Sequence, residues 1–364
     1  MTLPPTPPEP APTPRPLVVT GGWWGVLAVG VAISLCLALF IVTGLGRNMR
    51  SPPVLLTALT TVLPYLFAGV LAAVFGLWAL APDRKAFPIV LALVLIIGAV
   101  LWGPAVASWP EDAQGDAVRV ASWNVRRLWG GSDAADPVEC VLETLKEIDA
   151  DVIALQEVSA LELKQVREGL DLECVQTDYL RTGDANGGGL AVCVRGDEWT
   201  LRNGSPARFS EKHNWHYVFA EVGRGDHVFN MLSVHLQPYR LKSRAINEVS
   251  GVSERQGSQS AELLRRVQRF QDPTVLAGDF NSTRDAAIHV SIRDSMADAF
   301  EAGGSGFGST FQLMGWLPIR IDHVYVSDAF AVSQAKIPTR DCSDHRPVVT
   351  DLTLRAAPTG TAGD

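Results

Sequence analysis

Short apolar runs in the C-terminal two thirds of the chain are bordered by side chains that can bind metals or move protons. In chain order, these polar residues are Asn124, Gln156-Glu157, His235, Asp279 with Asn281, Asp322-His323 and Asp344-His345. Hydrolysis of a phosphate ester requires neutralisation of its charge, a water aimed in line, and a proton for the leaving oxygen. Carboxylate, amide and imidazole groups can meet these requirements together, so the pattern predicts phosphoester hydrolysis.

The carboxylates in this set suit a metal site. A hard cation such as Mg²⁺ prefers one or two carboxylates, together with waters and substrate oxygens. We predict Glu157 as the principal metal ligand, with Asn124 and Asp344 completing or orienting the ligand shell. The expected cofactor is Mg²⁺, with Mn²⁺ as the alternative.

The remaining residues fit catalytic roles. Asp279 is suited to orient or deprotonate the attacking water, and Asn281 can donate an amide hydrogen to the developing charge. His235 and His345 can donate to phosphate oxygens, and a protonated imidazole can act as a general acid. Asp322 is expected to keep His345 protonated and oriented.

These side chains must be brought together by strands and helices. Polar residues at strand ends gather along one edge of a sheet in α/β folds, which predicts a single site built from all of these places. The stretch after Asp136-Pro137 predicts a capped amphipathic helix, and 161–170 and 258–270 predict two more. An apolar strand is expected over 348–354, immediately after Asp344-His345.

The ordered motifs resemble the endonuclease/exonuclease/phosphatase superfamily over nearly all of the rear domain. They are Ser122-Trp123-Asn124-Val125, Leu155-Gln156-Glu157-Val158, Ser233-Val234-His235-Leu236, Gly278-Asp279-Phe280-Asn281, Ile321-Asp322-His323 and Ser343-Asp344-His345-Arg346-Pro347. The resemblance implies an α+β fold, a four-layer α/β sandwich of two mostly antiparallel sheets flanked by helices. It also implies one or two Mg²⁺ ions.

By the same resemblance, Glu157 would bind the metal, Asp344 would lie near it, and Asp279 with Asn281 would handle water and phosphate. The acid–base and phosphate-binding set would be His235, His345 and Asp322. Many family nucleases place a catalytic tyrosine between the Glu and His motifs. Tyr179 and Tyr217 are both candidates, and neither has a clear motif. Trp123 stands where many members have Tyr or a smaller residue, and we expect no effect on catalysis.

The first third of the chain has a different composition. The stretches 16–46, 51–82 and 86–110 lack charged residues, and each exceeds the roughly 20 residues that cross a bilayer. Trp23, Trp24, Trp102 and Trp109 flank the first and third stretches as interfacial aromatics would. We predict a disordered Pro-rich tail at 1–16, three transmembrane helices within 17–109, a linker at 110–117, the phosphoesterase domain at 118–355 and a flexible tail at 356–364.

The charge distribution bears on orientation and partners. Residues 1–110 carry five basic and two acidic side chains, which leaves 26 basic and 37 acidic ones for the rest. Basic residues around the spans nearly balance the two orientations, whereas the acidic segment 111–116 favours an extracytoplasmic domain. The net negative rear domain argues against nucleic acid as a partner. We therefore expect a three-span cell-membrane protein whose partner is the lipid bilayer. The sequence does not decide the oligomeric state.

The membrane helices, more than the fold, point to the substrate, because one fold hosts many substrates. Anchoring beside the bilayer raises encounters with lipid headgroups. The arrangement is similar to a membrane-bound subgroup associated with glycopeptide resistance, which implies a lipid-linked phosphate as substrate, with a polyprenyl pyrophosphate as one candidate. Arg126, Arg127 and Arg320 are candidates for gripping a second phosphate, with solvated surface charges as the alternative. The competing functions are a membrane-anchored endonuclease, a sphingomyelinase-like phosphodiesterase and a catalytically silent binding module.

The five cysteines match neither a zinc site nor a redox pair. Cys140 could pair with Cys174 in an oxidising compartment, and unpaired burial is the alternative.

Overall fold

The computed structural model describes residues 21–49, 52–80, 87–112, 115, 117–126, 136–177, 188–196, 198–210, 213–239, 246–340 and 342–355. The tails predicted at 1–16 and 356–364 lie outside the described residues, as do Arg127 and Tyr179. The helices are α1 Gly21–Asn48, α2 Val54–Thr61, α3 Leu63–Leu80, α4 Phe87–Val106, α5 Pro137–Ile148, α6 Ala160–Leu170, α7 Ile246–Val267, α8 Ala287–Arg293 and α9 Ala299–Gly303. The strands are β1 Ala117–Asn124, β2 Val152–Val158, β3 Leu172–Gln176, β4 Gly189–Arg195, β5 Thr200–Ser210, β6 His213–Arg224, β7 His227–His235, β8 Thr274–Asp279, β9 Ala297–Asp298, β10 Phe311–Leu313, β11 Leu317–Ile319, β12 Asp322–Val326, β13 Phe330–Lys336 and β14 Val348–Leu354.

Two six-stranded sheets form the centre of the rear domain. Their strand orders are β13-β14-β1-β2-β4-β3 and β5-β6-β7-β8-β12-β9. Each sheet contains one parallel pair among the described strands, β1 with β2 and β7 with β8, and the other pairs are antiparallel. The prediction of two mostly antiparallel sheets flanked by helices is confirmed.

Three apolar clusters separate the layers of the sandwich. Val120 and Val152 of the first sheet meet Met231 and Val275 of the second in the cluster between the sheets. A second cluster packs α5 and α6 on the outer face of the first sheet, and a third packs α7 and α8 on the second sheet. The central strands are therefore buried on both faces, which explains why they appear in the sequence as continuous apolar runs.

The predicted helices of the rear domain form where their capping residues indicate. Asp136 accepts hydrogen bonds from the amides of Val138 and Glu139 at the start of α5, as an N-cap does. Ser159 and Glu162 form a capping box at α6. Of the three predicted helices, the one expected over 258–270 has different bounds in the structure, where it runs from Ile246 to Val267.

The apolar front of the chain forms α1 to α4. Among the described helices, Val29–Asn48 is long and apolar enough to cross a bilayer on its own. The second uncharged stretch is broken, since Leu55–Thr61 and Leu63–Gly76 meet at an angle of 72°, and the apolar part of α4, Pro88–Gly103, is shorter than a typical span. Length and composition therefore give one span, or two if the bent pair is one span, where the sequence predicted three.

The cysteines of the rear domain form two disulfides. They join Cys140 to Cys342 and Cys174 to Cys193, so both alternatives, pairing of Cys140 with Cys174 and unpaired burial, are wrong. Cys174 and Cys193 face each other as register partners on β3 and β4. Cys140, at the start of α5, meets a residue 202 positions away. Such a pairing depends on tertiary contacts that spacing does not reveal.

Candidate active site

Four of the predicted residues lie at the C-terminal ends of the two parallel strand pairs. Asn124 and Glu157 belong to β1 and β2, while His235 and Asp279 end β7 and β8. The two sheets face each other, so these strand ends meet. One ligand atom each from Glu157, His235 and Asp279 lies within 4.8 Å of the others.

Glu157 is aimed into this site by a bulge in β2. The register between β2 and β4 shifts between Gln156 and Val158, and Glu157 has a φ of 53°. A Cβ on Gly188 would lie 2.6 Å from the Glu157 Cα, so only glycine fits beside the bulge. Bulges re-aim side chains next to active sites, and a left-handed non-glycine residue stores strain there.

Asn124 connects the two carboxylates. Its Nδ2 donates to Oε1 of Glu157 at 3.2 Å and to Oδ2 of Asp279 at 3.0 Å. Its Oδ1 accepts a hydrogen bond from the Arg126 amide. In this orientation the amide nitrogen faces the site, so Asn124 holds Glu157 and Asp279 together across the two sheets. Direct ligation of a metal by Asn124 stays a prediction.

Asp279 is positioned by the end of β8 and by the loop that follows it. Gly278 has a φ of 150°, and a Cβ there would lie 1.9 Å from the carbonyl oxygen of Val234, so the two strands approach too closely for another residue. Asp279 Oδ1 accepts from the Asn281 amide at 2.7 Å, and Asn281 Nδ2 donates to the Leu236 carbonyl. Burial, reinforced by the charge of Asp322, raises the pKa of Asp279 to about 6. This carboxylate is poised to exchange a proton near neutral pH.

His345 and Asp322 form a buried pair beside Asp279. Nδ1 of His345 lies 2.9 Å from Asp322 Oδ2, and its Nε2 lies 3.9 Å from Asp279 Oδ2. Burial by itself lowers the pKa of His345, but Asp322 and Asp279 outweigh it and raise that pKa to about 10. The sequence suggested that Asp322 follows the end of a strand, whereas in the structure it begins β12. It still reaches the site because β12 runs antiparallel to β8, with Asp322 and Asp279 as register partners.

His235 also lies beside Asp279. Its Nε2 is 3.6 Å from Oδ2 of Asp279 and 3.7 Å from Oε1 of Glu157. The ring is almost fully buried, so it presents one nitrogen to both carboxylates. A phosphate oxygen entering here would find an imidazole donor next to the carboxylate pair.

The oxygen donors of the site fit a divalent cation. Glu157 is a quarter exposed, with 25% of its side chain accessible, and Asp344 Oδ1 is buried without a hydrogen-bond partner among the described residues. Burial, reinforced by Glu157, raises the pKa of Asp344, although His345 and Arg126 oppose the effect. Carboxylate oxygens of this kind are ligands for Mg²⁺ or Mn²⁺. Glu157 and Asp344 are the residues that would hold the ion, with Asp279 adjacent.

Two of the arginines proposed to grip a second phosphate, Arg126 and Arg320, form ion pairs with carboxylates. Arg320 is buried and binds both oxygens of Asp298, at 2.8 and 2.9 Å, and also Glu301. Both interpretations of Arg320, phosphate binding and a solvated surface charge, are therefore wrong, because it is buried and its charge is neutralised by two carboxylates. Arg126 pairs with Asp344 through a hydrogen bond at the edge of the site.

Two other residues named from the sequence, the candidate catalytic Tyr217 and His323 of the Asp322-His323 motif, lie away from the site. Tyr217 lies within the cluster beneath α7, with its ring 5.1 Å from that of Phe209, so it is placed as a core residue. His323 bonds to Asp298 on the far side of β12 from the site. Burial and the charge of Arg320 lower the pKa of His323 despite Asp298, and we interpret it as structural.

Sequence reasoning missed three residues that hold the His345 loop. The Trp123 indole donates to the His345 carbonyl at 2.9 Å. The Phe311 ring lies 4.8 Å from the His345 ring, and Thr310 Oγ1 accepts from the Asp322 amide at 3.2 Å. Trp123 thus contacts the backbone of the His345 loop, and the expectation that it has no effect on catalysis stays a prediction. The Thr310-Phe311 pair carries no motif that would have revealed it.

The comparisons with known proteins agree with this arrangement. A sequence profile of the Endonuclease/Exonuclease/phosphatase family matches residues 121–345. A Bacteroides vulgatus endonuclease/exonuclease/phosphatase structure is 19% identical and covers 66% of this chain and 100% of its own, with a TM-score of 0.55. No curated protein matches the sequence.

Two other solved structures share the fold at similarly low identity. The Bacteroides thetaiotaomicron mannosyl-6-phosphatase is 18% identical and covers 65% of this chain and 100% of its own, with a TM-score of 0.51. The D. rerio TDP2 complexed with single strand DNA product is 15% identical and covers 66% of this chain and 100% of its own, with a TM-score of 0.54. These likenesses establish the fold of the rear domain and leave the substrate open.

Proposed function

Because the chain belongs to the endonuclease/exonuclease/phosphatase family, we propose that it is a membrane-anchored, Mg²⁺-dependent hydrolase of a lipid-linked phosphate. Membership of the family makes it a metal-dependent hydrolase of phosphoric ester bonds. The identity of the metal, the membrane anchoring and the lipid substrate are the proposed parts. The preferred substrate is a polyprenyl pyrophosphate.

The site residues supply the steps of hydrolysis. Glu157 and Asp344 would hold a divalent cation, which would supply charge neutralisation at the phosphate. Asp279 orients the attacking water and accepts its proton, for which a pKa of about 6 is suited. His345, kept protonated by Asp322, and His235 donate to phosphate or leaving-group oxygens.

The surfaces of the front helices support membrane anchoring. Ala32, Leu63 and Val94 pack inside one cluster among α1, α3 and α4. The outward sides are also apolar, and their exposed residues include Ile33, Leu37, Phe40, Ile41, Phe75, Ile89, Leu93, Leu95, Ile96 and Val100. Helices that are apolar on all sides are typical of membrane spans. We propose three spans, formed by α1, the bent pair α2–α3, and α4.

The observation that carries the lipid substrate is the contact between the loop after Asp279 and the front helices. Arg47, in the last turn of α1, forms an ion pair with the buried Asp285 at 2.6 Å. Arg284 donates to the Leu101 carbonyl of α4 at 3.0 Å. The catalytic loop is thereby held directly against the ends of two proposed spans, where lipid headgroups would lie.

A cavity at the same contact supports this substrate class. It has a volume of about 290 Å³ and is lined by Gly46, Met49 and Thr60 of the front helices, by Asn281, and by Ala261 and Ile288 of α7 and α8. Its lining combines apolar residues such as Met49, Leu264 and Ile288 with hydroxyl and amide side chains, among them Asn281 of the candidate site. A lipid chain leaving the bilayer between these elements could place its phosphate beside Asn281.

The two disulfides support an extracytoplasmic catalytic domain. Cys140–Cys342 and Cys174–Cys193 both lie in the rear domain. Structural disulfides form and persist in oxidising compartments and are rare in the cytosol. We therefore propose that the rear domain lies outside the cytoplasm, as the acidic segment before it also favours.

A substrate panel tests the proposal. Purified full-length protein in detergent with Mg²⁺ is assayed against a polyprenyl pyrophosphate, sphingomyelin and plasmid DNA. Turnover of the polyprenyl pyrophosphate, measured as phosphate release, is expected to be faster than turnover of sphingomyelin or plasmid DNA. DNA nicking without lipid turnover would instead identify an anchored endonuclease, and sphingomyelin turnover alone would identify a phosphodiesterase. No turnover of any substrate would favour a silent binding module.

Protease accessibility on spheroplasts tests the orientation separately. Digestion of the rear domain from outside is expected, with fragments that retain α1. Protection of the rear domain until the membrane is opened would rule out an extracytoplasmic enzyme.

A further inference from the structure

The β10–β11 hairpin presents an apolar tip on a domain whose other large apolar side chains are mostly covered. Phe307, Met314 and Trp316 are 60%, 74% and 69% exposed. Among the described residues from 115 to 355, the other exposed large apolar side chain is Leu161, at 68%. Isolated exposed residues such as Leu161 are common, whereas two large apolar side chains exposed at one hairpin turn indicate an interaction surface. Met314 and Trp316 lie at the turn of the hairpin, and we call them the hydrophobic tip; Phe307 lies four residues before β10.

The segment that carries the tip is attached at both ends to the front helices. The Tyr65 hydroxyl, in the first turn of α3, donates to the Pro318 carbonyl in β11. Ala107, just after α4, pairs with Ser305 in a β-bridge, two residues before Phe307. The hydrophobic tip therefore lies at the level where α3 begins and α4 ends. In the proposed three-span arrangement this level is the membrane–water interface.

The base of the same hairpin forms a wall of the active site. Phe311 forms a β-bridge with His345, and its ring lies 4.8 Å from the imidazole. Thr310 accepts a hydrogen bond from the Asp322 amide at 3.2 Å, and its carbonyl accepts from the Arg346 amide at 2.8 Å. The hairpin thus joins the exposed tip to the Asp322–His345 pair over only a few residues.

We propose that the hydrophobic tip inserts into the interfacial layer of the lipid bilayer and holds the Asp322–His345 side of the site against the headgroups. Tryptophan favours this layer, because its ring is apolar and its N–H needs a polar partner. The turn around Gly315 has backbone groups that need water, so insertion stops at the interface and does not reach the hydrocarbon core. The lipid bilayer is the occupant that fits, since the segment that carries the tip contacts Tyr65 at the start of α3 and Ala107 just after α4, two helices with apolar outer surfaces. The inference rests on the proposed membrane function.

Photo-crosslinking of the full chain tests the insertion directly. The protein is reconstituted in vesicles of phosphatidylcholine and phosphatidylglycerol containing a diazirine phospholipid, irradiated and digested with trypsin. Lipid adducts are expected on peptide 294–320, which contains the tip, and on peptides from α1 and α3. Peptide 147–164, which contains Leu161, serves as the control and should carry none.

The outcomes separate this inference from the proposed function. Adducts on α1 and α3 without adducts on 294–320 would overturn the insertion and leave the membrane anchoring intact, and would point to a protein partner as the cover of the tip. If α1 and α3 also lack adducts, the membrane anchoring fails and the insertion fails with it.

A kinetic experiment tests the link to the active site. The variant with Met314→Ser and Trp316→Ser is compared with wild type and with Leu161→Ser. The ratio of turnover of vesicle-embedded polyprenyl pyrophosphate to turnover of soluble bis-p-nitrophenyl phosphate should fall about tenfold in the double variant. An unchanged ratio in the double variant, or an equal fall in Leu161→Ser, would contradict the proposed role of the tip.

Discussion

The Nδ1 atom of His345 lies 2.9 Å from Oδ2 of Asp322. Asp322 begins β12 of the second sheet, whereas His345 lies in the loop before β14 of the first sheet. Asp322 is in turn the register partner of Asp279 across β8 and β12. The imidazole therefore lies between two buried carboxylates, with its Nε2 3.9 Å from Asp279 Oδ2. This geometry keeps His345 protonated and directs its second nitrogen toward the place where a phosphate would bind.

Replacing Asp322 with Asn should reduce turnover strongly. Loss of the carboxylate lowers the proton affinity of His345 and frees its ring, so kcat for bis-p-nitrophenyl phosphate is expected to fall about 10²–10⁴-fold. Asp328→Asn is the matched control, because Asp328 is exposed just beyond the opposite end of β12. Similar turnover in the two variants would argue against a role for the pair.

The metal-free protein should lose stability as the pH rises from 7 to 10. The folded-state pKa of His345, about 10, lies above the ordinary value of 6.5. Its contribution to stability is therefore complete below pH 6.5 and disappears as the pH approaches 10. Asp279, with a pKa of about 6, is already mostly ionised across this window.

Urea unfolding of the full chain in detergent and EDTA measures this dependence. The His345→Gln variant should show a flatter profile between pH 7 and 10, because the shifted group is gone. Identical slopes for wild type and His345→Gln would show that the imidazole does not carry the effect.

Metal binding should depend on Glu157. Adding Mg²⁺ to metal-free wild type is expected to raise the unfolding temperature by about 5–10 °C at roughly 100 times the dissociation constant. Glu157→Gln should need at least about tenfold more Mg²⁺ for the same shift, because an anionic ligand is lost. Glu168→Gln, on the exposed side of α6, should behave as wild type. Equal Mg²⁺ dependence in all three proteins would remove Glu157 from the metal site.

The two disulfides should contribute unequally to stability. Cys140–Cys342 closes a separation of 202 residues and Cys174–Cys193 closes one of 19. Chain-entropy arguments give the longer loop about 2 kcal/mol more stabilisation. Urea unfolding of the paired Cys→Ala variants measures the difference. A larger loss from removing Cys174–Cys193 would mean that local strain or residual structure dominates.

The strand-end motifs predicted which residues meet, because strand ends that carry polar side chains converge in this fold. Asn124, Glu157, His235 and Asp279 lie together at the ends of the two parallel pairs. Asp322 was expected at the end of a strand and lies instead at the start of β12, which runs antiparallel to β8. An antiparallel neighbour delivers its first residue to the same edge at which β8 ends.

Features that depend on contacts between distant segments could not be predicted. The partner of Cys140 is 202 positions away, and the neutralisation of Arg320 requires Asp298 and Glu301 to be brought beside it. The bulge at Glu157 likewise requires its pairing with β4. Local pattern carries no signal for any of these, since each is decided by tertiary packing.

Phosphate release from a polyprenyl pyrophosphate in sealed vesicles tests the central claim most directly. Wild-type protein with Mg²⁺ should release phosphate, and both EDTA and Asp279→Ala should reduce the rate by at least about 10³-fold. Asp272→Ala, which alters an exposed residue before the opposite end of β8, should leave the rate unchanged. Equal rates for wild type and Asp279→Ala, or no release by wild type that still hydrolyses a soluble phosphodiester, would contradict the account.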